Sequence, residues 1–225
     1  MKLLSFFLPT ILLCLCFAAW QQFNNAIREE KAREIIQHAS SNTAQNYEQQ
    51  ALKAISLLNY RNFLGHNVIV DAPLIASIYV SMNQYVEDNN QRAKYLHTAI
   101  NYYLAATKLK PAYGNYWALI AQAKIHLGQN DEEFARYLTL AHKYGPHNYM
   151  VHVNMAIIGQ AMINNSMVIT DLQRDLLVHH LSYGLVHRKS SSSLQLLLLK
   201  QDAAQAEMCK WMADNKVARK KLHCA

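Results

Sequence analysis

Eleven histidines in a chain of 225 residues raise the question of a metal centre first. His142, His147 and His152 stand five residues apart on either side of Pro146. A proline ends a helix, so the three do not share one helix face. A structural zinc site gathers four well-spaced ligands, which this trio does not supply. His179, His180 and His187 fare no better, because adjacent residues on a helix point about 100° apart. These side chains are read as surface or capping histidines, and no metal ligand is expected. Asp131, Glu132 and Glu133 form an acidic run that suits the positive end of a helix dipole, which accounts for them without a catalytic pair. The chain has no Cys-x-x-Cys-His, no glycine-rich phosphate loop and no Gly-x-Ser-x-Gly elbow, the signatures of haem attachment, nucleotide binding and a hydrolase nucleophile. No catalytic or cofactor-binding residue is expected, and the chain is not read as an enzyme.

The four cysteines fall into two pairs. Cys14 and Cys16 sit in an apolar segment and read as small hydrophobes. Cys209 and Cys224 flank a basic stretch. In an oxidising compartment a bond between them would close a loop of about 15 residues, worth on the order of 3 kcal/mol; the alternative is two free thiols near a frayed end. The same stretch carries Lys210, Lys216, Arg219, Lys220 and Lys221 against Glu207 and Asp214. It reads either as a solvated face or as a contact for an anionic glycan, lipid headgroups or an acidic partner. No nucleic-acid partner is expected. A tyrosine set (Tyr102, Tyr103, Tyr113, Tyr116, Tyr137, Tyr144 and Tyr149) reads as packing between helices, with a sugar-stacking groove as the alternative.

Helices must position all of these groups. The composition is 52% hydrophobic with only 6 Gly and 4 Pro, which favours helix nearly everywhere. Within residues 94–146 a spaced signature appears: Ala99, Tyr103, Ala106 and Pro111, then Trp117, Gly128, Phe134, Tyr137, Ala141 and Pro146. Pro111 and Pro146 are 35 positions apart, close to the ~34-residue period of the tetratricopeptide (TPR) repeat. Small alanines let two antiparallel helices approach, aromatics plug the gaps, Gly128 turns the chain, and each proline ends a second helix. Residues 25–60, with Tyr47, Ala51, Ala54 and Leu57, read as a degenerate first repeat. Stacked pairs form a solenoid whose concave face binds other proteins. The expected fold is all-α, a TPR-like helical-hairpin solenoid over 23–146 followed by a helical capping region over 147–225.

Residues 3–20 carry no charge and follow a single Lys2. About 18 apolar residues is the lower edge of what spans a bilayer, so residues 1–22 are expected to be a signal anchor, with cleavage after Ala18 as the alternative. Lys2 and the free amine set the orientation, which leaves the body outside the cytoplasm, tethered to the inner membrane.

The run from Ala112 to His152 resembles small TPR-like proteins encoded in bacterial exopolysaccharide biosynthesis clusters. The matching positions are Pro111, Trp117, Ala118, Lys124, Leu127, Gly128, Phe134, Leu138, Tyr144, Gly145 and Pro146, with Cys209 similar to the cysteine near the end of that family's helical tail. The resemblance implies a role in polysaccharide production or export beside the protein components of that machinery, with no catalytic residues to carry over. The alternative is a periplasmic TPR assembly factor for another envelope process, cytochrome maturation or outer-membrane protein assembly.

Overall fold

The computed structural model describes residues 4–39, 44–59, 71–199 and 202–224, and the side chains of these except 4–9, 44, 45 and 202. Every regular element among the described residues is helical. The chain divides into two compact units, Met1–Arg92 and Ala93–Ala225, so the division falls inside the stretch expected to hold the repeats.

In the first unit, α1 (Leu4–Ala39) is one continuous helix, α2 is Ala44–Leu58, and α3 is Ala72–Met82 with a 3-10 turn at Asn83–Tyr85. α2 packs on α1 and on α3. Ala32, Ala39, Ala51 and Ala54 are buried, and such small side chains let helix backbones approach closely. Tyr47 is buried and stacks on Tyr85 with ring centroids 4.0 Å apart. Ile55 and Leu58 complete the buried stripe of α2, whereas Leu57 is only half-buried. Pro73 stands in the first turn of α3, where its missing N–H loses nothing. The sequence places a helix cap at Thr43 and a loop near Gly65–Asp71; the first and most of the second lie outside the described residues.

The anchor expected over residues 1–22 meets a different description. Among the described residues no helix is long and apolar enough to cross a membrane. The apolar character of α1 ends at Trp20, where Gln21, Gln22, Asn24 and Asn25 follow. Beyond it the helix turns polar, with Arg33 paired to Glu29 at 2.7 Å.

The second unit holds most of α4 (Asn89–Leu109), then α5 (Gly114–His126), α6 (Glu132–Tyr144), α7 (Tyr149–Asn164), α8 (Asp171–Val186), α9 (Ser191–Leu198), α10 (Asp202–Trp211) and α11 (Lys216–Lys221). α5 packs on α6 and α7, α7 on α8, and α6 on α8. Local chemistry sets these boundaries. After α5, Gly128 adopts φ 73°, a left-handed conformation that glycine reaches without steric cost. Gln129 N–H then bonds Lys124 C=O and Gly128 N–H bonds Ile125 C=O, both at 3.0 Å, closing a Schellman turn. Asp131 caps α6 by accepting from Phe134 N–H, and Asn148 caps α7 by accepting from Met150 N–H. Thr170 and Gln173 form a reciprocal capping box at the start of α8.

The C-terminal segment closes the unit. Leu194, Leu198, Met208, Met212, Ala218 and Leu222 share a core with Leu181 and Leu185 of α8. α9 and α10 pack on α7 and α8, and α11 packs on α8. Burying these side chains stabilises the packed tail by ~25 cal/mol per Å² of apolar surface removed from water.

Candidate functional site

The repeat-signature residues point inward for the most part. Ala99, Tyr103 and Ala106 are buried on α4, and Phe134, Tyr137 and Ala141 on α6. Burial pushes the Tyr103 hydroxyl's pKa upward, with Tyr116 adding to the shift. Pro111 is exposed in the turn between α4 and α5, and Pro146 is half-buried in the turn between α6 and α7. Trp117 is half-buried rather than enclosed. Its ring stacks on Tyr137 at 5.9 Å, and its indole N–H donates to Pro111 C=O at 2.8 Å. The indole therefore staples the turn as well as filling a gap. The wider tyrosine set is dispersed: Tyr103 and Tyr137 are buried, Tyr113 and Tyr116 meet edge to face at 4.6 Å, and Tyr144 and Tyr149 are exposed.

Asp131 and Glu133 do more than face a helix dipole. Lys124 of α5 is buried, and its ammonium lies 2.7 Å from Glu133 and 3.0 Å from Asp131. Tyr137 donates its hydroxyl proton to the other Glu133 oxygen at 3.0 Å. Burial opposes the charge on Lys124, but the hydrogen bonds it donates to Glu133 and Asp131, with their negative charge, outweigh it and its pKa rises. Asp131 is lowered mainly by Phe134 N–H and then by Lys124, while Glu133 is lowered by Lys124 and Tyr137. Two ionised carboxylates clamping one lysine suit structure rather than proton transfer. Amide pairs fix the register nearby. Asn154 donates to Asn115 at 2.8 Å between α7 and α5, and Gln173 donates to Asn130 at 2.8 Å between α8 and the α5–α6 turn.

Tertiary packing gathers histidines that the chain keeps apart. His142 of α6, His152 of α7 and His180 of α8 form a hydrogen-bonded file. His142 Nδ1 lies 3.2 Å from His180 Nε2, and His152 Nδ1 lies 2.9 Å from His180 Nδ1. His180 and His152 are 0% and 1% exposed. His179 meets His142 edge to face at 4.8 Å and Tyr183 at 4.6 Å. His147 and His187 lie at the rim, 5.7 Å from Tyr183 and 6.2 Å from His152. Burial first, then neighbouring histidine charge, lowers the pKa of His142, takes that of His152 to about 4, and moves His180 furthest down. The expectation of surface and capping histidines is corrected for His152 and His180, which are core groups. Among the described residues no three His, Cys, Asp or Glu are arranged to hold a metal ion.

Cys209 and Cys224 form a disulfide with Cα atoms 5.7 Å apart. A second Schellman turn sets up this approach. Cys224 N–H bonds Arg219 C=O at 3.0 Å, with His223 at φ 54°, a left-handed conformation that costs a non-glycine residue about 1–2 kcal/mol. Beside the bond lies an open depression lined by Gln205, Cys209, Lys210, Arg219, His223 and Cys224. Lys210 is paired with Glu207 at 2.8 Å, whereas Lys216, Lys220 and Lys221 point into solvent. Cys14 and Cys16 are free and exposed on α1.

Neither Lys124 nor the histidine file was legible as a cluster in the sequence. The one available signal was that His142, His152 and His180 all fall in helices joined by short turns, which permits but does not specify a meeting point. No protein-family model, curated protein or solved structure matches this chain.

Proposed function

We propose that this chain is a TPR-like protein scaffold, tethered to the inner membrane with its body outside the cytoplasm, that takes part in exopolysaccharide biosynthesis or export. One observation carries the scaffold assignment above the rest. The α5–α6 and α7–α8 hairpins pack α5 on α7 and α6 on α8, and Ala99, Tyr103, Ala106, Phe134, Tyr137 and Ala141 occupy buried positions at the repeat's spacing. Stacked hairpins of this kind present an extended surface and work by binding protein partners. The partners are then the protein components of the polysaccharide machinery, with the exposed lysines of the tail available to an anionic glycan.

The uncharged Leu3–Trp20 segment supports the tether. On α1, Ile11, Leu12, Leu13, Leu15, Phe17, Trp20 and Phe23 are exposed, an arrangement suited to lipid and unsuited to water. The Cys209–Cys224 bond suits an oxidising compartment. No residue is assigned a catalytic role.

A reporter fused after Ala225 and active only outside the cytoplasm tests the topology. Activity is expected with the full chain, and loss of residues 1–22 should abolish it. Activity only from a cytoplasmic reporter would refute both the tether and the periplasmic body. If the topology holds but polymer output does not depend on the chain, a defect in cytochromes or outer-membrane proteins in its absence would favour the assembly-factor alternative.

A further inference from the structure

The histidine file joins three helices, one residue from each. We propose that His142, His180 and His152 form a proton-sensitive latch that holds α8 against α6 and α7 while the imidazoles are neutral and releases it on acidification.

Counting protons shows why. Three neutral imidazoles carry three N–H groups on six nitrogens, and the two N···N contacts use four of these nitrogens. Each contact needs one donor and one bare acceptor. The neutral file meets this in either direction. One added proton is still accommodated, since a cationic His180 donates both ways. A second leaves a single bare nitrogen, so at least one contact becomes N–H facing N–H and breaks. Release is therefore coupled to about two protons and is steep.

Among the described residues the charges acting on the file are those of other histidines. The charges acting on His180 come from His152, His179, His142 and His147, and those acting on His152 come from His187, His179 and His147. From α6 the file faces His142; from the α6–α7 turn, His147; from α7, His152; from α8, His179 and Tyr183, with His187 just beyond. Lys189 lies over the Tyr149 ring at 5.4 Å and adds positive charge at the rim. α5 presents Lys124, already clamped by Asp131 and Glu133. α9, α10 and α11 meet α8 through Leu194, Met208 and Ala218. The α10 carboxylate Glu207 is engaged by Lys210, Trp211 and Arg174, and Asp171 pairs with Arg174. His179 Nε2 is buried with no hydrogen-bond partner among the described residues. The fit is tight as well: a Cβ on Gly184 would lie 2.8 Å from His152 Cβ and 2.6 Å from Leu194 Cδ1. A second charged imidazole cannot be received here without separating α8 from α7.

The direction with pH follows from the lowered values. The folded groups bind protons less readily than released ones, so the latch is at full strength above about pH 6.5, the ordinary histidine value, and weakens as pH falls below it. For His152 the weakening continues down to about pH 4.

Amide hydrogen exchange on the full chain in detergent micelles, read by mass spectrometry and corrected for the intrinsic pH dependence of exchange, is the test. Two coupled protons with a released value near 6.5 raise the opening equilibrium of α8 by about 100-fold between pH 7.5 and 5.5. His142→Gln removes one titrating end from a half-buried site and should reduce that response to about tenfold. His223→Gln, outside the file, should leave it at about 100-fold. His180→Phe removes both contacts and one titrating group, so α8 should open more readily than in the wild-type protein already at pH 7.5, with a weaker response to acid. A change below about threefold in the wild-type protein overturns the latch. So does a full wild-type response in His142→Gln.

Discussion

Phe134→Ala is expected to destabilise the Ala93–Ala225 unit by about 3–5 kcal/mol. Phe134 is fully enclosed in the first turn of α6, and its backbone N–H is held at 2.8 Å by the Asp131 cap. With the helix start fixed in this way, the backbone cannot settle into the space that the ring vacates, so the loss should sit toward the upper end. Trp117→Ala provides the contrast. Trp117 is the larger side chain, and the sequence alone marks it as a plug between helices, yet it is only half-buried. Its removal forfeits one stacking contact and one hydrogen bond to the α4–α5 turn, together about 1–3 kcal/mol. Denaturant unfolding of the full chain in micelles, followed by circular dichroism, should rank Phe134→Ala as the more damaging. The reverse order would show that the indole, not the phenyl ring, lies at the centre of this packing.

Opening the Cys209–Cys224 bond is expected to lower stability by about 3 kcal/mol, the chain-entropy value for a loop of about 15 residues. α11 has only six residues, far below the length at which an isolated helix persists in water. Its apolar attachments are chiefly Ala218 and Leu222. The left-handed His223 adds strain that the bond and packing must hold. Reduction or Cys209→Ala should therefore release α11 first, seen as faster amide exchange over residues 216–222 while α5–α7 stay protected. Thiol labelling of denatured, unreduced protein should find Cys14 and Cys16 alone. Four reactive thiols in freshly exported protein would contradict the bridge.

Element positions were readable where local chemistry sets them. Gly128 ends α5 and Asp131 starts α6, each within a residue or two of the sequence expectation. The phase of a stripe was less secure. Ile55 and Leu58 carry the burial of α2 where Leu57 was expected, because a one-residue rotation about the helix leaves the apolar spacing nearly unchanged. Lys124 defeated the reading by residue type. A lysine at the end of a helix is usually solvated, and only the fold of α6 back onto α5 brings Glu133 and Asp131 to it. The histidine file failed for the same reason at longer range. Its contacts join residues 38 and 28 positions apart, and helical periodicity carries no information about which faces of α6, α7 and α8 converge. The anchor was legible as an uncharged run, which polar residues from Gln21 onward bring to an end.

Polymer output from cells that lack the chain is the most direct measurement of the proposed role. Surface and secreted polysaccharide should fall sharply in its absence and return with the full-length protein. Residues 23–225 exported behind a cleavable signal should restore it poorly, because the scaffold would then be present but untethered. Unchanged polymer in the absence of the chain, with the protein shown to be expressed in the parent cells, would contradict a scaffold in polysaccharide production.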